Sequence, residues 1–221
     1  MKQNHSLSAR RASVRALAVT AIMSALSAVL MYLEFSVPFV PDFLKYDFSD
    51  LPALLTAFGV SPWAGVTVEL LKNVLHLPVT QTGGVGELAN FLLGAAFVLP
   101  AGLVYRLKGG KSGALIGAVT GTLLAAALSL PVNYWITYPV YTKFLPLEAI
   151  LGLYQALNPA ATTLWRALLL FNLPFTVVKG AVNVLITFLV YKKLSPLLHG
   201  RTHTGSRSDK TQKKGSPDNQ T

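Results

Sequence analysis

The chain of 221 residues predicts an all-α polytopic membrane protein, a six-helix transmembrane bundle with both termini on the cytoplasmic side. Hydrophobic residues make up 52% of it and charged residues only 13%, and several apolar runs reach spanning length, which excludes an ordinary water-soluble domain. The basic residues set the orientation. Most of the 19 Lys and Arg fall in three clusters: Lys2, Arg10, Arg11 and Arg15; Arg106, Lys108 and Lys111; and the residues from Lys192 onward. Such clusters mark cytoplasmic flanks, so the net charge of +10 points to anionic lipid headgroups and not to nucleic acid.

The spans are expected at 14–33, 50–60, 62–78, 86–105, 112–133 and 173–193. An even number places both tails on one side, and the 106–111 loop after span 4 falls there too. Residues 1–13 are expected to form a basic cytoplasmic tail, 14–196 a single membrane domain, and 197–221 a basic tail too polar to fold. Span 1 has a signal-like basic flank, but it is long for a signal core and no small-residue cleavage site follows, so it is retained. Its small-residue pairs, Ala21 with Ala25 and Ser24 with Ala28, allow close helix approach.

Span 2 is short. Eleven residues at 1.5 Å rise cover about 16 Å of a core roughly 30 Å thick, so it must tilt or lie half-embedded. Asp50 reads as its N-cap with Pro52 in the first turn, and Gly59 with Pro62 as a tight turn into span 3. On span 3, Glu69, Lys72, Asn73 and His76 recur at helical spacing and share one face. A lysine at the bilayer centre costs roughly 2.5 to 3.5 kcal/mol unless it is paired or faces a cavity. A cavity open to one side accommodates the whole stripe.

The segment Gln81 to Asn90, QTGGVGELAN, brings three glycines before Glu87 and Asn90, one helical turn apart at the mouth of span 4. A glycine turn followed by a first-turn acid explains it locally; a ligand approached by glycine amides and held by Glu87 and Asn90, with Lys72 as a further partner for them, explains it functionally. Gly113, Gly117, Gly121 and Ala125 form a small-residue seam on span 5, expected to pack inside the bundle. Gly109-Gly110-Lys111-Ser112 resembles the end of a phosphate-binding loop, but Tyr105 stands where its first glycine belongs and the flanks are membrane spans, so it is rejected.

Tyr134, Trp135, Tyr138, Tyr141 and Phe144 make the outer loop aromatic, as an interfacial belt or as a wall for a flat ligand. On span 6, Asn172, Thr176, Lys179 and Asn183 form a polar stripe; Asn172 reads either as a cap before Pro174 or as part of a site, and Lys179, two turns inside, requires a partner. Cysteine is absent and the four histidines lack ligand spacing, so no metal or cofactor is expected.

The stretch FLKYDFSDLPALLTAFGVSPWAGVTVELLKNVLHL, with TGGVGELANFLLGAAFVLPAGLVYR, YPVYTKFLPLE and NLPFTVVKG, resembles the riboflavin-binding S components of energy-coupling-factor (ECF) vitamin transporters over about residues 14–193. The resemblance implies a plasma-membrane subunit that captures riboflavin from outside and joins a membrane coupling subunit and two cytoplasmic ATPases. It implies a flavin site lined by Leu44 and Lys45, by Asn133 near the end of span 5, and by Thr176 and Lys179, and a docking surface at Ala21 and Ala25. The family pattern carries an asparagine where this chain has Thr176; Asn172 stands one turn earlier. With Glu87, Asn90, Tyr134 and Asn172 these residues form the expected site. The rivals are an S component for another vitamin, an intramembrane enzyme using Glu69, Glu87 or His76 as acid or base, and a purely structural subunit.

Overall fold

The computed structural model describes residues 2–199, with side chains over 12–189. Helix α1 (Lys2–Tyr32) leads into a short antiparallel hairpin, β1 (Phe35–Ser36) and β2 (Lys45–Tyr46), paired Phe35 to Tyr46 and Ser36 to Lys45. There follow α2 (Asp50–Gly59), α3 (Pro62–His76) and α4 (Val85–Lys108). Helix α5 (Gly110–Val132) continues through a π turn at Asn133–Thr137 into α6 (Tyr138–Tyr141). The chain then forms α7 (Leu147–Leu157), α8 (Leu164–Ala167), a second π turn at Leu168–Asn172, and α9 (Leu173–His199).

Among the described residues, four stretches are long and apolar enough to cross a membrane: Ala12–Tyr32, Val85–Lys108, Gly110–Tyr141 and Leu164–Leu189. Helices α2 and α3, with 10 and 15 residues, span only about 15 and 22 Å each. They pack as a hairpin because Ser61 caps α3, accepting from Ala64 N at 3.0 Å, with Pro62 next to it in the first turn. Gly65 lets the two helices touch: a Cβ there would stand 2.7 Å from Ala57 Cβ and 2.8 Å from Ala53 O.

Several expectations are corrected. The segment expected as a basic N-terminal tail is helical from Lys2 onward and continuous with the first span. The segment 134–172, expected to link spans 5 and 6 as a loop, is largely helical, because the two spans beside it run on through π turns and α7 lies between them. The two-strand hairpin departs from an all-helical chain. From residue 200 on, the expected disordered tail lies outside the described residues.

The main core gathers Leu54, Phe58, Val68, Phe97 and Val98 around the α4–α5 seam. That seam is as close as the glycine spacing demands: a Cβ at Gly117 would stand 2.4 Å from Ala101 O, and one at Gly121 only 2.1 Å from Phe97 O. A second cluster, with Tyr138, Ile150, Tyr154, Leu168 and Phe171, ties α7 to the ends of the long helices.

Candidate functional site

Helix α3 is amphipathic in the inverted sense. Glu69, Lys72, Asn73 and His76 are buried, while Trp63, Leu70, Leu71, Val74 and Leu75 are exposed where lipid would lie. The expected polar face therefore points inward, and the partners it requires are close by. Lys72 donates to Asp50 Oδ1 at 2.5 Å and to Ser49 Oγ at 2.8 Å. Its Nζ also stands 2.7 Å from Glu69 Oε2, but off the hydrogen-bonding direction, so Glu69 has the ammonium's charge nearby and no hydrogen bond. Gly94 makes room for that carboxylate, since a Cβ there would fall 2.2 Å from Oε2.

Asp50 was expected to cap α2 and does not. It is the first residue of the helix, and Ser49 in the cap position makes no side-chain capping bond. Instead, its second oxygen lies 3.4 Å from Lys179 Nζ and accepts from Asn183 Nδ2 at 3.3 Å. Lys179 donates to Asp47 Oδ2 at 3.0 Å, and Asp47 Oδ1 accepts from Ser49 N at 2.7 Å. Three acids thus surround two lysines where α2, α3 and α9 meet. A bare ion at this depth would be prohibitively costly; mutual pairing, with hydrogen bonds to Asp47 and Asp50 and the Lys72 charge beside Glu69, is what makes the charges tolerable.

Asp47 and Asp50 are the residues that sequence reasoning missed. The signal was available, since two lysines on spans 3 and 6 require anions and the chain supplies two acids three residues apart just before span 2.

This ion cluster floors a cavity of about 840 Å³. Leu44 and Lys45 reach it from the hairpin, Glu87 and Asn90 from α4, Asn133 from the first π turn, and Asn172, Thr176 and Lys179 from the last helix. One expected residue lies elsewhere: Tyr134 points away, its ring edge-on to Trp135 and Trp165 at 6.0 and 5.8 Å. The aromatic segment divides by helical phase. Tyr134 and Trp135 face out, in the manner of a belt, whereas Tyr141 and Phe144 line the cavity and Tyr138 is buried behind it. Phe43, from the hairpin loop, meets Tyr141 and Tyr154 edge to face at 6.3 and 5.5 Å.

At the cavity mouth Glu87 pairs with His76 Nδ1 at 2.9 Å and accepts from Thr80 Oγ1 at 2.8 Å. Its partner is therefore His76 and not Lys72, because α3 carries Lys72 one turn deeper, where Asp50 holds it. Asn172 is not a cap either: it lies inside a continuous helix, and its Oδ1 accepts from Tyr154 OH at 2.7 Å. On the hairpin, burial pushes the Tyr46 phenol up in pKa, against the pull of Lys179. No group of three potential metal ligands occurs among the described residues.

The arrangement offers apolar and aromatic walls, a few amides and hydroxyls, and a floor of charges already paired with one another. It can hold a flat, uncharged, polar-edged molecule. The family profile of the ECF transporter substrate-specific component matches residues 15–191. The chain belongs to that family. It is 33% identical to "Riboflavin transporter FmnP" of Bacillus subtilis, over 83% of this chain and 93% of the relative. It is 32% identical to "Riboflavin transporter RibU" of Staphylococcus aureus, over 80% and 88% of the two chains. A solved S component of a bacterial ECF transporter superposes with a TM-score of 0.68 at 30% identity, covering 84% of this chain and 98% of that one. The S component is a transport subunit and a membrane protein, not an enzyme, and Glu69, Glu87 and His76 belong to its ion pairs and not to an acid–base device.

Proposed function

We propose that this S component captures riboflavin from the outer side of the plasma membrane and delivers it inward when joined to a membrane coupling subunit and two cytoplasmic ATPases. The observation that carries the reading is the convergence, on one cavity of about 840 Å³, of polar residues from every part of the chain that resembles riboflavin transporters. A cavity in the range of about 300 to 1,000 Å³ suits a ligand of this size. Riboflavin combines a planar tricyclic ring, which the Phe43, Tyr141 and Phe144 side chains can flank, with carbonyls, an imide and a hydroxylated chain that amides and hydroxyls can bind.

In this reading the chain crosses the bilayer six times with both ends in the cytoplasm. Helices α2 and α3 count as two short crossings, thinned locally or tilted, and the loops bearing the hairpin, the Gly83–Gly84 turn and α7 face outward. The basic α4–α5 turn lies about 36 Å away along α4, toward the cytoplasm. Delivery requires no chemistry from this subunit. The ATPase cycle need only favour different orientations and affinities.

The test is direct. Detergent-purified protein is expected to quench the fluorescence of added riboflavin at a one-to-one ratio, or to carry the flavin absorption bands as isolated. Protein with neither property would overturn the reading.

A further inference from the structure

Two asparagines of the cavity are committed in opposite senses. Asn133 donates its Nδ2 to Ser129 O at 2.7 Å, one turn back on its own helix, which leaves Oδ1 as an acceptor. Asn172 is tied at the other end. Its Oδ1 accepts from Tyr154 OH at 2.7 Å, and Tyr154 OH is hydrogen-bonded in turn to Tyr138 OH.

Both phenols are sealed off, at 1% and 0% exposure, among Ile150, Ala167, Leu168 and Phe171. They hold two protons. The bond between the hydroxyls uses one, and the other needs an acceptor; among the described residues it is Asn172 Oδ1. Reversing the amide would turn its N–H₂ toward the phenols and strand a hydroxyl proton in an apolar pocket, which is the costlier arrangement. Burial also holds the Tyr154 phenol well above the usual tyrosine range, so it stays a donor. The amide that results is itself 2% exposed and lines the cavity.

We propose that Tyr138 and Tyr154 are positioning residues that fix Asn172 with its Nδ2 toward the cavity, so that it donates to a ring carbonyl of the ligand. The inference rests on the riboflavin reading, since riboflavin carries two ring carbonyls flanking an imide N–H. A fixed donor at Asn172 and a fixed acceptor at Asn133 give the site a polarity that a freely rotating amide would lack. A ligand with donor and acceptor exchanged along that edge is rejected because two buried groups are then left unpaired.

The experiment compares the affinity of riboflavin with that of its 2-thio and 4-thio analogues, because sulfur is a far weaker acceptor than oxygen. The proteins are the wild type, the double variant Tyr138→Phe with Tyr154→Phe, and Asn172→Ala. The wild type is expected to prefer oxygen at one of the two positions by tenfold or more. In both variants that preference is expected to fall at least threefold, whatever happens to overall affinity. A loss of packing alone would weaken all three ligands alike and leave the ratio where it was. An unchanged ratio in either variant that still binds riboflavin would overturn the positioning role. Failure of the wild type to bind riboflavin would instead remove the functional reading and this inference with it.

Discussion

Lys179 belongs at once to the ion cluster and to the cavity wall. Its Nζ is held by Asp47 and Asp50 at 3.0 and 3.4 Å, yet the residue lines the cavity. Lys179→Met should weaken riboflavin binding at least tenfold, about 1.4 kcal/mol, in a fluorescence titration. Unchanged affinity would remove Lys179 from the site. Lys72 differs in degree. It is fully buried between Asp50 and Glu69 beneath the cavity, and Lys72→Met would strand the Glu69 carboxylate without a cation and leave Asp50 only the Lys179 ammonium, 3.4 Å away. Breaking a buried pair in this way costs about 3 to 5 kcal/mol. The expected outcome is a large fall in the thermal unfolding midpoint in detergent, and an unaltered midpoint would show that the pair does not hold the helices together. The polar face of α3 was legible from the spacing of Glu69, Lys72, Asn73 and His76 alone. The partner of Lys72 was harder to name, because a first-turn aspartate such as Asp50 looks like a cap until its side chain is seen turned toward two lysines.

Among the elements, the α4–α5 pair is the most constrained. Gly121 has no room for a side chain, whereas Gly152 on α7 has nothing within 4 Å of a would-be Cβ. Gly121→Val should therefore destabilise the protein by about 1 to 3 kcal/mol through overpacking against Phe97. Gly152→Ala should leave it unchanged or gain about 0.5 to 1 kcal/mol of helix stability. Thermal unfolding of the two variants side by side decides the matter: equal effects would mean that the seam does not bear the packing. The four-residue repeat of small side chains made this contact readable in advance. The lengths of the long helices were not readable, because Pro131 and Pro174 look like ends. In the structure both helices pass them by way of π turns, which absorb the displaced backbone hydrogen bonding. That extension brings Tyr141 and Asn172 to the cavity wall and Tyr138 behind it.

At the scale of the whole molecule, α1 presents two faces. Ser24 and Ala28 are buried against the bundle, while Ala21 and Ala25 are exposed. If the outer pair is the docking surface for the coupling subunit, Ala21→Trp with Ala25→Trp should abolish uptake by the assembled transporter and leave riboflavin binding by the isolated subunit intact. Loss of both would place the pair inside the fold instead. Orientation can be tested just as cleanly, because the chain has no cysteine. A cysteine at Phe39, 86% exposed in the hairpin loop, should react with an impermeant thiol reagent on intact cells. One at Leu107, 86% exposed beside the basic turn, should react only after lysis. The opposite pattern would invert the topology.

Composition and periodicity determined the class of this protein, the inward-facing polar stripes and the internal glycine seam, because burial in lipid leaves a helix few ways to carry charge and each leaves a mark at a spacing of three or four. The tertiary structure alone decided which charges meet and which rings line the cavity. Lys179 and Asp47 lie 132 residues apart, and Tyr134 and Tyr141 are separated in role only by the phase of a π turn. Pairing across that distance depends on how helices cross in three dimensions, and local sequence does not encode a crossing.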